Sequence, residues 1–192
     1  MPLRNDAALE FLLSRRSRPA KTLMAPAPSR DELMPLLTAA ARTPDHGKLE
    51  PWRFIVIETP AMVRLAELTT KAGERLSKSP EDIAKGRSQF KLGQLAVAVV
   101  EVQKDSPKVP AIEQTYSAGA VCLALLNAAL AAGWGANWLS GWVSHDAEFC
   151  AEAFGLASHE RIAGLIHIAT EASPPPERPR PDLAALTTWM AT

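Results

Sequence analysis

The stretch Ala118–Leu139 has only Asn127 and Asn137 as clearly polar side chains. Whatever else the chain does, it must hide this segment from water. A bilayer and a protein core are the two places that can do so. Much of the stretch is alanine, which drives membrane insertion weakly, and Gly133 and Gly135 break its far end. A buried core helix is therefore expected and a membrane span is not. A chain of 192 residues is long enough to build a core around such a helix. No internal repeat or shift in composition divides it, so residues 1–192 read as a single domain.

Charge removes further classes. Lys plus Arg and Asp plus Glu are 21 each, so nothing draws the chain generally to nucleic acid or anionic lipid. Little self-repulsion keeps such molecules apart, which favours an oligomer that covers apolar surface. Two cysteines, Cys122 and Cys150, do not make a disulfide scaffold, and the plain expectation is a reducing cytoplasm. The apolar stretch Ala7–Leu13 contains Glu10 and runs into Arg15-Arg16 without a small-residue cleavage site, so it does not read as a targeting signal.

Strands and helices alternate irregularly. A first helix is predicted over Asp6–Ser14. A second follows the capping box Ser29-Arg30-Asp31-Glu32 and stops at Thr43-Pro44. Trp52–Glu58, Leu95–Val102 and Ile162–Ala169 read as buried strands. Between them lie helices over Pro60–Leu76, Ser79–Gln89 and Ile112–Ala132, the first capped by Thr59. Asn137–Val143 reads as extended, and Asp146–Phe154 as a short helix capped by Ser144 and ended by Gly155. From Ser173 onward prolines dominate, and Pro174–Pro181 cannot join a sheet interior. This 173–192 arm is either a solvated tail or a strap along a partner subunit, with Leu183, Leu186 and Trp189 as apolar anchors.

No Gly-x-Gly-x-x-Gly turn follows a strand, and there is no Walker sequence, HExxH, Gly-x-Ser-x-Gly elbow or cysteine–histidine array with metal spacing. Three stretches remain that combine polar groups with tight turns. Arg15-Arg16-Ser17 offers two planar guanidiniums and a hydroxyl, a set that suits a phosphate. The bland alternative is cations favouring a helix C-terminus. Arg42–Trp52 is a polar loop between a core helix and a core strand, a natural place for a ligand or simply a surface loop. Gly133–Gly141 permits close backbone approach to a ligand, or merely ends a helix and packs tryptophans.

Taken together, Arg15-Arg16-Ser17 after a short helix, PDHxxxxPW at Pro44–Trp52, VPxxEQxxSAG at Val109–Gly119 and the Gly133–Gly141 stretch resemble the nitroreductase family, in particular its compact single-domain subgroup of NAD(P)H nitroreductases. The resemblance runs from about Leu9 to Ala169. It implies an α+β sandwich with a small mixed central β-sheet covered by helices, in an intertwined homodimer with FMN at the subunit interface. It implies that Arg15, Arg16, Ser17, Arg42, His46, Trp138, Leu139 and Ser140 contact FMN, and that Ala128, Ala129, Leu130, Ala131, Ala132 and Gly133 meet the NADH or NADPH co-substrate. It implies no metal and no evident acid–base dyad, since the flavin carries the difficult chemistry. A late arginine that grips the phosphate in many members has two candidates here, Arg178 and Arg180. The acceptor is expected to be a small nitroaromatic or quinone-like molecule taken in ping-pong order. The alternatives are a flavin reductase or dehydrogenase with a non-nitro acceptor, and an FMN-free interaction protein on the same scaffold.

Overall fold

Strand β3 (Leu95–Val102) is buried at every position, as its unbroken apolar run predicts for a strand covered on both faces. In the computed structural model, which describes residues 3–191, its side chains divide by parity. Leu95, Val97 and Val99 join one hydrophobic cluster, and Ala96, Ala98, Val100 and Val102 join another, the period-2 alternation of a strand with a core on each side. Strand β5 (Glu160–Glu171) repeats the pattern, with Leu165 in the second cluster and Ile166 and Ile168 in the first.

The first cluster is completed by α2 (Arg30–Ala40) and α5 (Ala111–Ala131), the other by α3 (Thr59–Arg75), α4 (Pro80–Lys91) and α6 (Ala147–Phe154). This is the expected α+β sandwich. Two further helices, α1 (Asp6–Ser14) and α7 (Leu183–Leu186), bury no residue.

The sheet departs from the expected mixed type. Strand β2 (Trp52–Glu58) pairs with β3, β3 with β5, and β5 with both β4 (Gly135–Leu139) and the two-residue β1 (Leu23–Met24); every one of these pairings is antiparallel. The physical reason lies in β5. The β3–α5–β4 connection is a helical crossover that brings its strands out parallel, but β5 inserts between them and runs against both.

The apolar segment is α5, whose buried residues Gln114, Ser117, Ala118, Val121, Cys122, Leu125, Leu126 and Ala129 recur at helical spacing along one face. By length and composition it could cross a membrane, yet that face packs on the sheet. Its first turns are pinned by Glu101, 2 % exposed, which accepts from Thr115 Oγ1 at 2.7 Å and from Arg161 Nη2 at 2.9 Å.

The capping box of α2 forms as expected, with Glu32 N–H donating to Ser29 Oγ and Ser29 N–H to the Glu32 carboxylate. Three local expectations are corrected. Helix α6 is capped by Asp146, which accepts from Phe149 N at 2.8 Å, because Ser144 already belongs to the 3-10 turn Trp142–His145. That turn also ends the extended stretch at Leu139, and pairing to β5 starts it earlier, at Gly135. In the same way α3 starts from Glu58 rather than Thr59, whose hydroxyl donates to Gln94 O at 2.9 Å.

In β5, His167 is 2 % exposed, and its Nε2 has no partner among the described residues. Burial pushes its pKa down from 6.5 to about 4, so the folded protein holds it neutral. The unfolded chain binds the proton first, so this contribution is complete above pH 6.5 and is lost as pH falls towards 4. Unfolding stability of the wild type should drop by about 3 kcal/mol more across that window than in a non-titrating His167→Gln variant, each pKa unit corresponding to about 1.4 kcal/mol. Urea denaturation of both proteins from pH 7 to pH 4 checks this; equal pH slopes would refute the buried neutral imidazole.

Candidate functional site

Helix α1 ends at Arg15, whose backbone leaves helical geometry while its N–H still donates to Phe11 O at 2.8 Å. The chain then runs extended beside β4. Arg18 N donates to Ala136 O at 2.8 Å, and Asn137 Nδ2 donates to Arg18 O at 2.6 Å. These two bonds bring Arg15-Arg16-Ser17 to the strand that carries Trp138-Leu139-Ser140, so two of the three polar stretches meet on one edge of the sheet.

The side chains there form a cationic cluster. Arg15 Nη2 donates to Ser17 Oγ at 3.1 Å, while Arg15 Nε is buried without a partner. Arg16 Nη1 reaches Glu177 Oε1 at 3.3 Å, and the same oxygen receives Arg180 Nη2 at 3.0 Å. Arg18 Nε lies 2.8 Å from Glu171 Oε2. The Arg15 pKa is lowered first by burial and then by the positive charges of Arg180, Arg16 and Arg18. Four guanidiniums therefore face two carboxylates, and among the described residues the excess positive charge has no counter-ion. Of the two late arginines, Arg180 sits in this cluster. An orphaned guanidinium N–H, a hydroxyl whose proton is available to donate and surplus positive charge fit a phosphate ester well.

Strand β4 leads from this cluster to a cleft of about 420 Å³. Leu139, Ser140 and Gly141 form one wall, Lys85, Gly86 and Gln89 of α4 the other, and Ala20 and Lys21 the rim. The walls approach closely because Gly86 has no side chain: a Cβ there would lie 2.7 Å from Trp142 Nε1, which donates to Asp82 O at 3.1 Å. Gln89 Nε2 is buried beside the cleft with no partner. Ser140 Oγ lies 3.1 Å from His145 Nε2. Trp138 lies across β5, where Gly164 leaves room for it; a Cβ on Gly164 would be 2.1 Å from the indole nitrogen. Sequence reasoning missed Lys85, Gly86 and Gln89, which sit in a polar helix; a glycine inside a helix was the one available signal.

Arg42 and His46 do not join the cluster. Arg42 follows the end of α2, and its backbone N–H donates to Ala39 O. His46 Nδ1 lies 2.7 Å from Glu113 Oε2, in the first turn of α5. Strand β4 begins only past the other end of that helix, about 30 Å away at 1.5 Å per residue. The loop is held stiffly. Ser117 Oγ donates to Pro44 O at 2.7 Å, Glu50 N donates to Asp45 Oδ2 at 2.7 Å, and Lys48 and Glu50 adopt positive φ of 53° and 48°. Two non-glycine residues held in the left-handed region are a local cost of the kind found at ligand sites.

Ala128–Gly133 is the C-terminal end of α5. Ala129 is fully buried, Ala128 and Leu130 pack on the core, and Ala131, Ala132 and Gly133 face water. Gly133, at φ 85°, ends the helix. The two cysteines are free and lie in opposite clusters on the two faces of the sheet. Burial pushes their thiols up to about 12 for Cys122 and about 11 for Cys150, so both are inert.

Comparison with known proteins gives the same outline. The model of the nitroreductase family matches residues 12–170. The chain is 34% identical over 163 residues to the Escherichia coli K12 protein named "Putative NAD(P)H nitroreductase YdjA", covering 85% of this chain and 87% of that protein. Among solved structures, a nitroreductase-like family protein from Bacillus cereus superposes with a TM-score of 0.80 at 23% identity over 100% of both chains. The crystal structure of "a putative nitroreductase in complex with fmn" from Desulfovibrio desulfuricans superposes with a TM-score of 0.76 at 21% identity, over 98% of this chain and 99% of the other.

Proposed function

Because the chain belongs to the nitroreductase family, we propose that it is an FMN-dependent oxidoreductase that uses NADH or NADPH to reduce a small nitroaromatic or quinone-like acceptor. The observation that carries this reading is the guanidinium cluster of Arg15, Arg16 and Arg180 with Ser17, whose charge Glu177 offsets only in part, placed by β4 beside a cleft. Arg15, Arg16, Ser17 and Arg180 hold the phosphate of FMN. Trp138, Leu139 and Ser140 place the ring system at the cleft, where Gln89 can donate to a ring oxygen. Bound there, FMN supplies two-electron transfer between donor and acceptor. The exposed end of α5 at Ala131–Gly133 is the candidate contact for the nicotinamide nucleotide. No side chain of the cluster or the cleft is assigned an acid–base role.

The working unit in this reading is a homodimer of one-domain subunits. Three separate apolar surfaces face water in the single chain. They are Leu9, Leu12 and Leu13 of α1; Ile112, Tyr116 and Leu123 on the outer face of α5; and Leu183, Leu186, Trp189 and Met190 of the arm. A second copy covers them, and its arm is a strap rather than a solvated tail. The second copy also supplies what the first leaves distant, since its Arg42 and His46 complete the flavin site. Inert buried thiols suit a reducing cytoplasm.

Three results test this. First, FMN titration of the apoprotein should give a dissociation constant that rises tenfold to a hundredfold in Arg15→Ala and Arg16→Ala, because a charge-assisted hydrogen bond contributes about 1.5–3 kcal/mol. Equal constants in all three proteins would sink the phosphate assignment. Second, one cleft serves donor and acceptor in turn, so double-reciprocal plots at several acceptor concentrations should be parallel; intersecting lines would mean that both bind together. Third, Tyr116 is 68 % exposed in the single chain, and Tyr116→Glu should convert the dimer to a monomer that retains little FMN, read by light scattering and flavin absorbance. A wild type that is monomeric while holding its FMN would end the shared-site reading.

A further inference from the structure

The cationic cluster is bridged by a carboxylate from the arm. Glu177 Oε1 accepts from both Arg16 Nη1, at 3.3 Å, and Arg180 Nη2, at 3.0 Å. We infer that Glu177 is an internal placeholder for the flavin phosphate: its carboxylate holds the two guanidiniums together in the flavin-free protein and is displaced when FMN binds. The inference rests on the FMN reading above.

The geometry supports displacement rather than a shared site. A phosphate ester offers three acceptor oxygens and about two negative charges, and it needs the same N–H groups that Glu177 occupies. A carboxylate left in contact with it would set like charges side by side. Leaving is easy for Glu177, whose side chain is 69% exposed, while that of Arg16 is only 18% exposed. The arm makes the exchange possible. Its prolines at positions 174–176 hold it extended past the end of β5, and Arg18 ties its base through Glu171. The Glu177 side chain can therefore rotate away while the arm and Arg180 stay in place. A hydrogen bond from the Arg178 backbone, followed by the charges of Arg180 and Arg16, lowers the Glu177 pKa. The device keeps Arg16 and Arg180 from repelling each other before flavin arrives, and each flavin must break that bridge to bind.

The alternative role has the opposite sign. If Glu177 instead positions the arginines for the phosphate, removing its charge weakens FMN binding. The experiment titrates apoprotein with FMN and with riboflavin, which lacks the phosphate, in wild type, Glu177→Gln and Glu177→Ala. The exposed position makes both substitutions safe for the fold. A placeholder predicts that both variants bind FMN about twofold to fivefold more tightly, the scale of one exposed ion pair, with riboflavin affinity unchanged. Unchanged or weaker FMN binding overturns the inference, as does an equal gain for riboflavin, which would place the effect away from the phosphate. Failure of the wild type to bind FMN at all is a separate result, and it would overturn the functional reading itself.

Discussion

Strand β5 is paired on both edges and covered on both faces, and the rest of the molecule is arranged to satisfy it. Its backbone groups need β3 on one side and β4 with β1 on the other. Its side chains need a helical layer above and another below. The 21-residue α5 follows from this. It is the crossover that carries the chain over β5, so that β4 emerges parallel to β3 but bonded to β5 instead. A buried histidine can sit in such a strand only in its neutral form, and His167 does so.

The same constraint builds the candidate site. Because β4 must lie against β5, its other edge is free to receive the segment after α1 through Ala136 and Asn137. That contact brings the segment carrying Arg15, Arg16 and Ser17 to the strand that leads to Trp138–Ser140, although more than a hundred residues separate them in the chain. The end of β5 releases the arm next to the same segment, which is how Glu171 and Glu177 meet Arg18 and Arg16. Strong like-charge crowding with an orphaned N–H on Arg15 suits an anion of higher charge than a carboxylate. The loop carrying Arg42 and His46 is equally rigid but lies towards the far end of α5. In the reading proposed above, one chain holds two halves of a site that cannot close on themselves, and a homodimer would then have a chemical reason as well as an apolar one.

Much of this is legible in the sequence. Uninterrupted apolar runs located β2, β3 and β5, the capping box located α2, and Gly155 ended α6. Residues that act locally are easy to read, because a cap or a glycine at positive φ involves only its neighbours. What escaped was set by pairing and by competition. Ser144 lost its capping role to Asp146 because a 3-10 turn had already taken it. The two-residue β1 has no pattern of its own and is defined by Leu23 and Met24 bonding to β5. Lys85, Gly86 and Gln89 matter only because α4 faces the end of β4.

The sequence by itself determined the layers: apolar periodicity fixes which residues must be buried, and burial on both faces of two strands demands helices on each side. It also carried the family resemblance, since Arg15-Arg16-Ser17 and the Pro44–Trp52 loop are contiguous motifs. Only the tertiary structure decided that the sheet is antiparallel throughout, because strand direction depends on which strand inserts between β3 and β4. Only the tertiary structure selected Arg180 over Arg178, and set Glu177 between Arg16 and Arg180. Those choices depend on where an extended proline-rich arm meets a segment from the other end of the chain, and no local pattern records a distance in space.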